Sequence, residues 1–338
     1  MNLEQRLRRL QAQGEFDLPM PGGGHTAVRH CRLLEFGRGD LSLARLVEAH
    51  VDALAILSEA GHRVDRSALY GVWASEAPSH SVHLDCAAGR LELNGSKAFC
   101  SGAGIIDRAL VTVSAPEQRL VDVDLRAGGA TLRVDGTAWI ASAFAETGTA
   151  TVQFTRTEVA ERDIVQGPGW QGRGWYLERP GFWHGACGPA ACWTGGAIGL
   201  VDYALAQSQH DAHTLAHLGA MYADAWAMRA YLESAGDEID QSPADAEQAC
   251  TRALTVRHLV EQACSDVLRR FARAYGPRPL AFDREASRRY QELELYIRQS
   301  HAERDLESLG RKLRDGAKCR TVVREPNDDH EPLWKKAN

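Results

Sequence analysis

The hydrophobic positions of the chain fall into three zones of different period. In residues 41–60, Leu43, Leu46, Val47, Val51, Leu54, Ala55 and Leu57 recur at three- and four-residue steps. Asp40 stands in the N-cap place and Gly61 just past the end. This spacing predicts a helix. Ahead of it, Pro19-Met20-Pro21-Gly22-Gly23-Gly24 cannot continue a helix and marks a loop, so the first zone is short and helical. From about residue 69 to 165 the pattern changes to short alternating runs rich in β-branched and aromatic residues. Candidate strands cover 69–75, 82–86, 90–93, 96–101, 108–114, 119–125, 131–134 and 149–156. Asn94-Gly95 between two such runs is the sharpest hairpin signal in the chain.

Eight short strands with no helices between them predict an antiparallel sandwich or barrel rather than a parallel sheet. A Rossmann reading fails, because no G-x-G-x-x-G follows a strand and opens a helix. After residue 181 the helical period returns. Val256, Leu259, Val260, Ala263, Cys264, Val267, Leu268 and Phe271 form an apolar stripe of period 3.6. Residues 183–207 are apolar nearly all round and contain Gly185, Gly188, Gly195, Gly196 and Gly199. Glycine costs about 1 kcal/mol at each helix-interior position, so this helix must approach its neighbours closely. Further helices are expected at 212–234, 244–275 and 284–313. The last residues carry Pro326, Asn327, Asp328, Asp329 and Pro332 without periodicity, which predicts a mobile tail. The fold class is therefore α+β, with an N-terminal helical region (1–68), a β-domain (69–170), a C-terminal helical bundle (171–314) and a tail (315–338).

Composition narrows the function. The 338 residues carry 39 Lys plus Arg against 45 Asp plus Glu, a net charge of −6, which excludes a strongly basic nucleic-acid binder. With 44% hydrophobic and 25% charged residues, the chain is far from the composition of disordered proteins. The charged N-terminus shows no apolar signal segment, and nothing approaches 18 uninterrupted apolar residues, so a cytoplasmic protein that does not enter a membrane is expected. The eight cysteines are scattered, with no C-x-x-C pair and no metal-ligand spacing. They read as free thiols, mostly buried, and no metal is expected.

Inside the β zone two stretches carry more information than their period. Trp73-Ala74-Ser75-Glu76-Ala77 and Leu91-Glu92-Leu93-Asn94-Gly95-Ser96-Lys97-Ala98-Phe99-Cys100-Ser101-Gly102-Ala103 resemble the T-E-P strand end and the L-N-G-x-K-x-W-I-[ST]-x-G segment of the acyl-CoA dehydrogenase family. Val165-Gln166-Gly167-Pro168-Gly169-Trp170 looks like that family's loop from sheet to bundle. The resemblance covers residues 41–313. It implies the three-zone acyl-CoA dehydrogenase-like fold, FAD as cofactor, and a homo-oligomer, dimer or tetramer. It also implies an acyl-CoA thioester as substrate, with a flavoprotein or oxygen taking the electrons. Residue by residue, it places Ser75 at the Thr that hydrogen-bonds the flavin, Phe99 at the Trp that covers one ring face, and Ser101 at the hydroxyl near N5. Ser81 is the counterpart of the serine that contacts CoA.

Desaturation of an acyl thioester needs a carboxylate over the α-carbon, in a dry pocket that raises its pKa, and hydrogen bonds that stabilise enolate character. The family's E-G-T pattern is absent from 295–305. Glu178, in Tyr176-Leu177-Glu178-Arg179, matches the alternative D-L-E-R placement and is the leading base, with His301 and Glu303 behind it. The R-x-x-F-G segment that contacts FAD on a neighbouring subunit is missing around 207–216, as is the G-G-x-G motif, replaced by Ala274-Tyr275-Gly276-Pro277-Arg278. Two alternatives follow. One is a flavin-dependent monooxygenase of the same fold, which needs no α-proton base. The other is a non-catalytic subunit in a hetero-oligomer with a related chain.

Overall fold

The structure is a computed structural model, and it describes residues 1–77, 79–87, 89–114, 118–127, 129–170, 174–208 and 211–315. The expected tail beyond 315, Cys319 within it, and residues 209–210 of the segment lacking R-x-x-F-G lie outside the described residues.

Three helices open the chain: α1 (Leu3–Ala12), α2 (Thr26–Gly39) and α3 (Leu41–Glu59). Asp40 is the N-cap that separates the last two, and its carboxylate accepts from the Leu43 amide at 3.1 Å. The same carboxylate takes Arg6 at 2.7 Å and Arg288 at 3.2 Å, so one cap joins the first helix, the third and the distant bundle. These partners hold its pKa below the usual carboxylate range against the opposing effect of burial.

Among the described residues eight strands follow: β1 (Tyr70–Trp73), β2 (Val82–Ala87), β3 (Arg90–Cys100), β4 (Arg108–Val113), β5 (Arg119–Asp124), β6 (Leu132–Asp135), β7 (Ala150–Val159) and β8 (Ile164–Val165). They form two four-stranded sheets, ordered β1-β4-β5-β8 and β2-β3-β7-β6. Among the described residues every ladder is antiparallel except β1 with β4, which run parallel from Tyr70↔Arg108 to Trp73↔Val111. The β2–β3 excursion between these two strands supplies the crossover that a parallel pair requires.

The Asn94-Gly95 hairpin expectation is corrected. β3 runs unbroken through these residues, and the chain reverses between Ala87 and Arg90 instead. Asn94-Gly95 is a β-bulge, where the ladder to β7 slips between Leu93 and Gly95. The Asn94 side chain stands in for the disturbed ladder by accepting from the Arg156 amide at 2.8 Å, and it also donates to the Asp85 side chain on β2 at 2.9 Å. Gly95 takes φ 118°, and a Cβ there would collide with the Ser81 carbonyl oxygen.

The chain then returns to helix: α4 (Trp175–Glu178), α5 (Pro180–Gly185), α6 (Cys187–Leu205), α7 (Ala212–Gln241), α8 (Ala246–Tyr275), α9 (Pro277–Phe282), α10 (Arg284–Tyr296) and α11 (Glu303–Asp315). The predicted 284–313 helix is broken, because a 3-10 turn at Ile297–Gln299 ends α10 and Ala302 takes a left-handed conformation, φ 47°. The glycines of α6 have the expected packing reason. At Gly195 a Cβ would strike the Leu34 carbonyl and stand 2.6 Å from the Arg38 amide, and at Gly196 it would be 2.7 Å from Leu41. Thus α6 crosses α2 backbone to backbone, and Trp193, fully buried beside this crossing, sits in the main core. Among the described residues no helix is long and apolar enough to cross a membrane.

Candidate functional site

The segment 98–101 is where the sequence resemblance and the local geometry meet. Below it, Lys97 passes between the two sheets and donates to Thr112, to the hydroxyl at 2.7 Å and the carbonyl at 3.1 Å, which ties β3 to β4. Burial lowers the pKa of this ammonium. The ladder to β7 slips again between Lys97 and Cys100, and in that slip Phe99 takes φ 59°. A left-handed conformation costs a non-glycine residue about 1 kcal/mol or more, so the segment stores strain that its surroundings must hold.

The holding contacts are specific. Ser75, just past β1, donates its hydroxyl to the Ala98 carbonyl at 2.6 Å. Trp73 donates its indole N–H to the Ser101 carbonyl at 3.1 Å, and the Ser101 amide bonds back to the Phe99 carbonyl at 2.9 Å. The structure therefore brings Ser75, Phe99 and Ser101 together on one edge. The Phe99 ring is turned outward and is 59% exposed, unusual for so large a side chain held by strain.

Behind this edge lies a residue that sequence reasoning missed. Arg45, on α3, is buried, donates its Nε to the Ser101 hydroxyl at 2.9 Å, and lies over the rings of Phe144 at 4.8 Å and Tyr296 at 5.3 Å. Burial lowers its pKa, but a guanidinium keeps its charge at neutral pH. Thr149, at 3.4 Å, is the other neighbour of the Ser101 hydroxyl. A groove of about 310 Å³ opens beside it, lined among others by Gly104, Trp139 and Gly148.

Two more charged residues share the face of Arg45, at steps of three and four along α3. Glu48 and Asp52 face Gly188 and Gly185, where a Cβ would stand 2.7 Å and 2.5 Å from their carboxylate oxygens. Burial, then the neighbouring Asp52, pushes the Glu48 carboxyl up to about 8, against the pull of Arg29, Arg257 and Arg45. Burial raises Asp52 as well. In the sequence Arg45, Glu48 and Asp52 stand at helical spacing within the apolar stripe of α3, but such spacing alone does not tell a buried charge from a solvated one.

The other candidates lie elsewhere. Ser81 is exposed beside β3, with its hydroxyl 3.2 Å from His83 Nε2. Glu178 is exposed at the end of the one-turn α4. His301 is exposed in the break between α10 and α11, 3.4 Å from Asp305, and Glu303 is exposed at the start of α11. Among the described residues no group of His, Cys, Asp and Glu is arranged to hold a metal ion.

No protein-family model matches the chain, and no curated protein does. Solved structures do. KijD3 in complex with FMN and dTDP-3-amino-2,3,6-trideoxy-4-keto-3-methyl-D-glucose superposes with a TM-score of 0.78 at 15% identity, over 96% of this chain and 88% of that one. This is the acyl-CoA dehydrogenase-like fold. TdsC from Paenibacillus sp. A11-2, a dibenzothiophene monooxygenase solved with FMN and indole, gives 0.73 at 16% identity, over 91% and 94% of the two chains. Methanesulfinate monooxygenase MsuC from Pseudomonas fluorescens gives 0.71 at 16%, over 96% and 97%. At these identities the likeness is one of fold.

Proposed function

We propose that the chain is a flavin-dependent monooxygenase that takes FMN at the edge formed by Ser75, Phe99 and Ser101. The observation that carries the reading is the strained, outward-facing Phe99 ring between two hydroxyl residues that hydrogen bonds fix to neighbouring backbone. Those residues suit a flavin, whose ring system needs a flat apolar platform on one face and polar partners along its edge. Solved neighbours with FMN support FMN over the FAD of the sequence expectation, as does the missing R-x-x-F-G segment.

Reduced FMN, supplied by a separate NAD(P)H-dependent reductase, would contribute two electrons and two protons, so that one atom of O2 enters the substrate and the other leaves as water. The chain's own residues do the rest. Phe99 presents the platform, Ser75 holds the Ala98 carbonyl and so fixes the platform's height, and Ser101 offers a hydroxyl at the inner end. The groove beside Thr149 gives apolar walls from which water is displaced when a ring binds.

Oxygenation is supported over thioester desaturation by the placement of carboxylates. Desaturation requires one carboxylate over the reacting carbon, yet Glu178 and Glu303 are exposed, and 297–302 between α10 and α11 contains none. Ser81, the proposed CoA contact, is likewise exposed beside β3. The test is oxygen uptake by the purified chain given a flavin reductase, NADH and small organic nitrogen or sulfur compounds, against anaerobic mixing with acyl-CoA thioesters. Substrate-dependent product carrying oxygen from O2 supports the proposal. Bleaching of bound flavin by an acyl-CoA, with no oxygenated product from any substrate, would contradict it.

A further inference from the structure

We propose that Arg45 is the positioning residue of this site. It fixes the Ser101 hydroxyl so that its proton points outward to an acceptor on the flavin ring, and it places a positive charge beneath that contact. The inference rests on the flavin reading above and adds to it a residue and a role.

Counting protons gives the direction. A serine hydroxyl has one proton to donate and two lone pairs to accept with. Arginine Nε can only donate, so at 2.9 Å the Ser101 oxygen is the acceptor from Arg45. The remaining neighbours form a chain. Thr147 gives its proton to the Phe144 carbonyl at 2.8 Å, which makes Thr149 the donor in the 2.9 Å contact between Thr147 and Thr149. Thr149 has then committed its one proton. The 3.4 Å contact with Thr149, at the limit of a hydrogen bond, is also oriented with the Ser101 oxygen as acceptor, so among the described residues no acceptor takes the Ser101 proton. An acceptor arriving from the Phe99 side at normal distance takes it. The oxidised flavin ring carries acceptor nitrogens and carbonyl oxygens along its edge, so the match is donor to acceptor.

Charge acts at this site independently of the proton. Arg45 makes no ion pair among the described residues. Its guanidinium rests on the faces of Phe144 and Tyr296 instead. The Glu48 and Glu292 carboxyls act on this cation without bonding to it. Burial raises both, Glu48 to about 8, so Glu48 is largely protonated at neutral pH, and the cation keeps a field that is strong where water is excluded. Negative charge gained by a ring bound at Ser101 on reduction is then stabilised, so the site favours the reduced flavin.

The experiment uses the full chain reconstituted with FMN. Bound-flavin midpoint potentials are measured for the wild type, Arg45→Met, Arg45→Lys, Ser101→Ala and the Arg45→Met/Ser101→Ala double variant, each checked for folding by its melting curve. Arg45→Met is expected to lose at least tenfold in preference for reduced over oxidised FMN, about 30 mV downward for a two-electron couple. Arg45→Lys keeps the charge and loses the Nε contact, so it falls between. The effect of Arg45→Met shrinks in the Ser101→Ala background, because part of it passes through the hydroxyl. Should Arg45→Met fail to fold, Arg45→Lys and Ser101→Ala carry the test. Unchanged potentials in folded variants, or effects that simply add, would overturn the role of Arg45 and leave the flavin reading standing. A wild type that binds no flavin would overturn both.

Discussion

Glu48 and Asp52 stand one helical turn apart on the buried face of α3, each opposite a glycine that leaves room for its carboxylate. With the Glu48 carboxyl pushed up to about 8, the folded protein holds a proton that the unfolded chain releases near about 4.3. The stability this proton confers is complete below the unfolded value. It is lost as pH rises toward 8, by at most about 1.4 kcal/mol per pH unit, and the loss levels off above that. Melting temperatures across this range should therefore fall with pH in the wild type and stay flatter in Glu48→Gln, whose amide is neutral throughout. Parallel curves would show that Glu48 is ionised at neutral pH.

The crossing of α6 over α2 makes a sharp contrast between two glycines. At Gly195 a side chain meets the α2 backbone, which cannot yield cheaply, whereas at Gly219 of α7 nothing lies within 4 Å. Gly195→Ala should lower stability by about 3 kcal/mol, in the range of severe overpacking. Gly219→Ala should raise it by about 0.5–1 kcal/mol through helix propensity alone. Urea denaturation of the two variants checks both signs at once.

Phe99 pairs backbone strain with the proposed flavin platform, and the two separate by substitution. Glycine adopts φ 59° freely, so Phe99→Gly should relieve about 1 kcal/mol of backbone strain while removing the exposed ring. A higher melting temperature combined with at least tenfold weaker FMN binding is the expected pair of outcomes. Weaker FMN binding with a lowered melting temperature would mean that the ring is a packing residue.

Much of the fold was legible in the sequence, because local chemistry and tertiary structure agree. The Asp40 cap, the α3 stripe and the glycine-dense α6 all stand where period and composition place them. The Asn94-Gly95 misreading shows where locality fails. The same dipeptide suits a tight turn or a bulge, and the choice was made by Ser81 and Arg156, distant in sequence and pressed against it. The Ser75, Phe99 and Ser101 edge was found through resemblance. Arg45 was not, because a charged residue on an apolar helix reads as a solvated position until the facing rings of Phe144 and Tyr296 are known.

The bulge has its own test. Asn94→Ala removes two side-chain hydrogen bonds, of which the one from the Arg156 amide stands in for the broken ladder, at a cost of about 1–2 kcal/mol. Since Asn94 and the Phe99 segment belong to one strand, FMN affinity should weaken with it. Isothermal titration of the variant, beside its melting curve, reads both. Full affinity in a destabilised variant would show that the two irregularities of β3 are independent.

The most direct measurement is the visible absorbance of the purified full chain after incubation with FMN and desalting, beside Phe99→Ala treated identically. Two flavin bands at close to one FMN per chain are expected in the wild type, with at least tenfold weaker retention in the variant. A folded wild type that retains neither FMN nor FAD would contradict the flavin reading.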